Sequence, residues 1–196
     1  MTIERLRGVG KTGILTDPDP YDLPIEAFSA GVNVRFRNNK ITSGPVFRSV
    51  LGLSETDPRF LIAAAPTQGS NELFLGYKSG RVKLYSNGTE TDYTVPGYTL
   101  SAVEAPYSGT VLDGVVYVNR GDRPPWYLTT SATAFADLST VGTAPDRWDP
   151  TWSCRILRQC ANALVALNVT KGVTNYPNLV KTSKPATTGA VPGSWD

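Results

Sequence analysis

Apolar and polar residues alternate along much of this chain with a period of two, and no long stretch repeats them at helical spacing. The clearest stretch is Asn71–Tyr85. Leu73, Phe74 and Leu75 form a compact apolar strand, Lys78-Ser79-Gly80 supplies turn chemistry, and Val82, Leu84 and Tyr85 begin a return strand. A similar layout recurs 42 residues on, in Asp113–Tyr127, and another 49 residues on, from Asn162. The spacing predicts three units. The first has strands at Phe60–Ala65, Glu72–Gly76, Val82–Tyr85 and Thr91–Val95. The second has strands at Ser101–Ala105, Val115–Val118, Trp126–Thr129 and Ala134–Leu138. The third has strands at Ser153–Leu157, Ala163–Asn168 and Leu179–Thr182, with no clear fourth. Alternation within the first hairpin puts Leu73 and Leu75 on one face and Phe74 on the other.

A four-strand unit recurring at this interval is the mark of a β-propeller blade, a small twisted sheet that must bury its faces on its neighbours. A β-sandwich also has short, regularly spaced strands, and the repeat favours the propeller over it. The expected fold is therefore all-β: a partial β-propeller of about three blades of antiparallel strands, preceded by an extended N-terminal arm. The arm covers residues 1–30, a hairpin and linker 31–57, and the incomplete propeller 58–196, with blades at about 58–98, 99–140 and 147–196. In the arm, Asp17-Pro18-Asp19-Pro20 and Leu23-Pro24 forbid regular helix, leaving one helical turn at most over Ile25–Ala30. In the hairpin, Val34 and Phe36 alternate with Arg35 and Arg37, Asn38-Asn39 turns the chain, and Lys40-Ile41-Thr42 returns.

Composition narrows the function. The net charge of +2 is too small for nucleic-acid binding through bulk electrostatics. Histidine is absent, which removes histidine-dependent nucleophile arrangements and the commonest metal ligand. No enzyme and no cofactor is expected. Cys154 and Cys160, six residues apart on one extended strand, lie roughly 20 Å from each other, beyond disulfide reach; two buried thiols are the simple reading. The first ten residues lack the apolar core of a secretory signal, and no 18-residue apolar run is present to span a membrane.

Several motifs have a bland reading beside the sharp one. Gly8-Val9-Gly10-Lys11-Thr12 echoes a phosphate-binding loop, but Arg5 stands where the first glycine belongs and no strand fits before it. Arg35, Arg37, Lys40 and Arg48 lie in an acid-free stretch and are the candidate partner contacts; a solvated strand face is the alternative. Arg120-Gly121-Asp122 matches an adhesion tripeptide of the kind that arises by chance. Asp17 with Asp19, and Asp146 with Asp149, read as turn formers rather than a catalytic pair. Trp126, Trp148, Trp152 and Trp195 are either core fillers or sugar-stacking rings.

Gly8-Val9-Gly10-Lys11, Asp22-Leu23-Pro24, Gly31 through Phe36, Gly44-Pro45 and the late Pro185 with Val191 through Asp196 together resemble the tail nozzle proteins of short-tailed phages, also called tail tubular or packaged-DNA stabilisation proteins. Those proteins open with a glycine-rich arm, continue through a leucine-proline and an asparagine-containing first strand, and then form propeller repeats; they are several hundred residues long. The resemblance implies a non-enzymatic component of the virion tail. It would form a ring, as a hexamer, against the tail adaptor and other tail proteins, retain packaged DNA, and let DNA pass during ejection. A carbohydrate-binding propeller for host-surface recognition is the rival expectation.

Overall fold

A computed structural model describes residues 51–64, 72–100 and 104–196, together with four short strands nearer the start of the chain. It divides into two units, Met1–Gly52 and Leu53–Asp196. In the first unit, β1 (Gly13–Ile14) pairs in parallel with β2 (Ala27–Phe28). This replaces the helical turn expected over Ile25–Ala30: Ala27 and Phe28 are extended and paired. The hairpin expected next is present as β3 (Val34–Arg37) and β4 (Lys40–Ser43), with Phe36 opposite Ile41 and Arg37 opposite Lys40.

The second unit is built of three antiparallel sheets. The first contains β5 (Pro58–Ala64), β6 (Glu72–Tyr77), β7 (Val82–Ser86) and β8 (Thr89–Asp92). The second contains β9 (Tyr107–Leu112), β10 (Val115–Arg120), β11 (Trp126–Leu128) and β12 (Ala136–Asp137). The third contains β13 (Trp152–Cys160), β14 (Ala163–Lys171) and β15 (Thr174–Thr182). Every sheet is a meander, so chain neighbours are sheet neighbours. Asp113-Gly114 shows how the sequence sets this: φ of 48° and 84° makes the mirror-image two-residue turn whose twist matches the flanking strands.

The sheets stack face to face in chain order. Phe74 and Leu84 are opposite each other on β6 and β7, and with Val82 they bury against Val116, Val118, Trp126 and Leu128 of the second sheet. The other face of the second sheet, with Leu112, Val115 and Tyr117, packs on Cys154, Leu157, Leu164, Ala166 and Val169 of the third. Each fully buried aliphatic or aromatic side chain in these interfaces contributes about 1.5–3 kcal/mol. Leu73 and Leu75 lie on the face of the first sheet turned away from Phe74, as alternation requires. The 42-residue offset, however, superposes Phe74 on Val116, two residues that face each other across one interface. Sheets that stack in the same sense need an odd offset here, because a one-residue slip exchanges the faces of a strand.

The first strands of successive sheets lie side by side, β5 by β9 and β9 by β13. Polar groups join β9, β10 and β13 there. Buried Asn119 donates through Nδ2 to Ser108 Oγ at 3.1 Å and to the Cys154 carbonyl at 2.9 Å. Ser108 Oγ accepts from the Leu157 amide at 3.0 Å, and Arg158 Nη1 donates to the Gly109 carbonyl. The strand expected at Ser101–Ala105 is thus displaced to β9, with Glu104–Pro106 outside any strand. Glycine on β9 is needed for close approach: a Cβ on Gly109 would sit 2.6 Å from Phe60 Cζ and 2.7 Å from the Tyr117 carbonyl oxygen.

The third sheet has three strands and no fourth among the described residues, as expected; past β15 the chain returns in an isolated bridge of Trp195 with Ser183, with Asp196 N donating to Thr182 O and Lys184 N to Ser194 O. One further expectation is corrected. The thiols are both free, as expected, but only Cys154 is buried. The inward-facing set on the β13–β14 pair changes from Cys154 and Val169 to Leu157 and Ala166 across Asn168, which has φ 54°. Cys160 therefore falls on the outer face with Ile156.

Candidate partner-contact surfaces

The basic residues picked from sequence fall in the first unit. Arg35 and Arg37 belong to β3 and Lys40 to β4, with Arg35 opposite Thr42 and Arg37 opposite Lys40. Their side chains, and Arg48 altogether, lie outside the described residues, as do Gly8–Thr12, Asp17 and Asp19.

The motifs in the second unit resolve toward structural roles. Arg120 of the adhesion-like tripeptide is 1% exposed; its Nη1 donates to Tyr98 Oη at 2.5 Å and its Nε lies 3.6 Å from Asp122. A guanidinium held this way is not presented to a receptor. Asp149 accepts from the amide and hydroxyl of Thr151 at 2.8 and 2.6 Å, and those bonds hold its carboxyl below the usual range. It is a turn former. Asp146 lends its carbonyl to the Trp195 amide. Trp126 and Trp148 are buried, and Trp195 packs edge-on to Trp148 with centroids 4.8 Å apart. Trp152 alone of the four is only half-buried and open to a ligand.

Three surfaces remain. On the outward face of the first sheet a polar network ties the segment Ser54-Glu55 to the strands. Glu90 accepts from the Ser54 amide at 2.9 Å, from the Ser54 hydroxyl, and from Tyr77 Oη at 2.5 Å. Lys83 Nζ stands 3.5 Å from Glu55 and 3.7 Å from Glu90. Burial pushes Glu90 up, but the Ser54 and Tyr77 hydrogen bonds and the Lys83 charge outweigh it and hold the carboxyl at about 2.

The outer face of the third sheet is different. Ile156 is 38% and Val180 53% exposed, opposite half-buried Leu167. This is an apolar face without a described sheet upon it.

The third surface surrounds the β14–β15 end of that sheet. Lys171 Nζ lies 4.4 Å and Lys181 Nζ 4.8 Å from the Trp152 ring centroid, and Lys171 is 5.7 Å from that of Tyr176. Desolvation and the neighbouring Lys171 charge depress the Lys181 ammonium, against the opposing charge of Asp196. On the opposite side a cleft of about 340 Å³ is lined by Arg155, Asn168, Thr170, Asn175, Pro106 and Gly121. The hydrophobic pattern pointed to none of this, since the lysines and the tryptophan are scattered in sequence and meet only through strand pairing. Among the described residues no group of three or more Cys, Asp or Glu is placed to hold a metal ion, and no helix is long and apolar enough to cross a membrane. No protein-family model matches the chain, and no curated protein matches it.

Proposed function

We propose that the protein is a structural component of a phage tail, a nozzle subunit whose three sheets are consecutive blades of an incomplete β-propeller. The observation that carries the reading is the order of parts. A first unit of short paired strands is followed by three meander sheets that stack in chain order, with β5, β9 and β13 side by side. Adjacent first strands around a common axis are what a propeller requires, and this order is that of the nozzle proteins the sequence resembles. The open apolar face of the third sheet supports association with further subunits. In this reading copies of the chain form a ring with the tail adaptor and other tail proteins, retain packaged DNA and conduct it at ejection.

Negative-stain microscopy of the purified protein tests the reading, with closed rings as the expected result. The rival, a carbohydrate-binding propeller, predicts a monomer that binds a glycan array and loses binding on Trp152→Ala. That outcome refutes the nozzle. Trp152 is the residue for this test because Trp126 is only 2% exposed, and truncating it would disturb the core instead.

A further inference from the structure

Charge is segregated within this chain in a way its total conceals. From Pro150 to Asp196 there are five bases, Arg155, Arg158, Lys171, Lys181 and Lys184, and one acid, Asp196, whose charge acts on Lys181. In the rest of the chain fourteen bases face sixteen acids. A small net charge excludes bulk electrostatic binding but not a local basic surface, and a sign asymmetry of this kind points to a polyanion.

The geometry sharpens this. Arg59 and Arg81 pair with carboxylates, Arg123 with Asp122, and Arg158 with the Gly109 carbonyl. Arg155 makes no hydrogen bond or ion pair with any described residue, and it lines the cleft with the side chains of Asn168, Thr170 and Asn175. Thr170 and Lys171 are successive residues of β14, so their side chains project to opposite faces. The cleft and the lysine pair therefore lie on the two sides of one hairpin end. Trp152 holds both ammoniums by cation–π contact, which fixes their position and leaves their N–H groups available. Asp196 offsets part of the repulsion at Lys181, but two like charges with a single carboxylate near them in a partly desolvated setting are stabilised by a further anion. Cations spread over both sides of a hairpin suit a chain of anions rather than one small ligand.

We propose that the third sheet is a contact for duplex DNA, with Arg155, Lys171 and Lys181 taking phosphates of the backbone. This deepens the nozzle reading and, as a surface along the DNA path, rests on it. Such contacts position the protein without reading sequence. Three phosphates on duplex DNA give a slope of log K against log salt of about −2.7, so binding weakens roughly 40-fold between 50 and 200 mM salt.

The test is fluorescence anisotropy with a labelled random-sequence duplex across that salt range, on the full-length protein. The expected result is the roughly 40-fold loss for the native chain and only about 3.5-fold for Lys171→Gln/Lys181→Gln, which retains one phosphate contact. Lys171→Arg/Lys181→Arg should restore the native slope. Circular dichroism and thermal melting show that each variant is folded; should the glutamine pair unfold, Arg155→Gln, at an exposed position, is expected to reduce the slope by about 0.9. Three results overturn the inference: no binding at 50 mM salt, an unchanged slope in folded glutamine variants, or equal binding of polygalacturonate, which would make the surface a general polyanion site. Rings that form normally while DNA binding fails would overturn this inference alone. Absence of rings with salt-dependent binding intact would overturn the nozzle reading alone.

Discussion

Gly109→Ala is the most direct probe of how the sheets join. Gly109 sits on β9 opposite Val118, under the Phe60 ring of the first sheet, and its carbonyl accepts from Arg158 of the third. One methyl group added here meets Phe60 Cζ at 2.6 Å and Tyr117 O at 2.7 Å, separations that cannot be kept. The ring tip can move; the carbonyl belongs to the paired strand and cannot move without disturbing the ladder. Overpacking of this kind costs about 1–3 kcal/mol. Alanine recovers about 0.4–1 kcal/mol by restricting the unfolded chain, so the net loss is about 1–2 kcal/mol. For a unit of this size that lowers Tm by about 2–8 °C. Urea unfolding followed by tryptophan fluorescence measures it. Phe60→Leu in the same background shortens the ring side chain and should recover part of the loss, so the two substitutions are expected to be non-additive by at least about 0.5 kcal/mol. A Gly109→Ala protein as stable as the native one, or strict additivity with Phe60→Leu, would refute the close approach of β5 and β9.

Other substitutions probe separate parts. Asn119→Ala removes the donor to Ser108 and Cys154 in a fully buried position and should cost about 1–3 kcal/mol in urea unfolding, with the third sheet released first in hydrogen exchange. Glu90→Gln tests the outward network: a folded-state carboxyl near 2 against 4.5 for the unsupported group sets a ceiling of about 3 kcal/mol, reduced to about 1–2 kcal/mol because Lys83 keeps Glu55 and the site is partly open. Because the folded value is depressed, that stability is present above about pH 4.5 and is lost as pH falls toward 2; acid titration of thermal stability should show a steeper native curve than the Glu90→Gln curve. Cys160 should react with a thiol reagent in the native protein while Cys154, whose thiol burial pushes up to about 12, reacts only after unfolding, giving one equivalent and then two.

The strands that were legible in sequence are those bounded by strong turn signals and filled with β-branched and aromatic residues. Val115–Arg120 after Asp113-Gly114 and Ala163–Lys171 after Ala161-Asn162 are of this kind. The strand Tyr107–Leu112 was not, because Ser108, Gly109 and Thr110 carry no apolar pattern. Its residues are chosen by tertiary contact: Ser108 serves Asn119 and Leu157, and Gly109 gives way to Phe60. The Asn168 kink was equally hidden, since alternation alone cannot say where a strand pair exchanges its faces, and that single backbone feature moved Cys160 from the inner to the outer side. The return of the chain past β15 depends on an isolated bridge of Trp195 with Ser183, a contact between two short segments that contain proline, glycine and serine. The contact surface on that sheet needed the fold altogether. Trp152, Lys171 and Lys181 are widely spaced in sequence, and antiparallel pairing of Trp152 with Lys171 and of Ala166 with Lys181 is what gathers them.

The two ends of the stack differ in a way that bears on assembly. The outward face of the first sheet carries Ser54 and Glu55, which pair with Lys83 and Ser79, and Glu90, which accepts from Tyr77; Ser79 Oγ donates to Glu55 at 2.5 Å. Covering that network with a flat apolar surface would strand charges that are now paired, and burial of an unpaired charge is strongly unfavourable. The third sheet presents Ile156, Leu167 and Val180 instead, and covering them is favourable at about 25 cal/mol per Å² of apolar area. The outward face of the first sheet also exposes Leu61, at 57%, beside its polar network, so the two faces differ in the paired charges they carry rather than in apolar exposure. If copies of the chain form a ring as proposed, the third sheet is the surface expected to meet the next subunit, and Val180→Glu, which places a carboxylate among those apolar groups, should weaken ring formation in negative stain while leaving urea stability within about 0.5 kcal/mol. Unchanged rings would show that subunits meet through another surface.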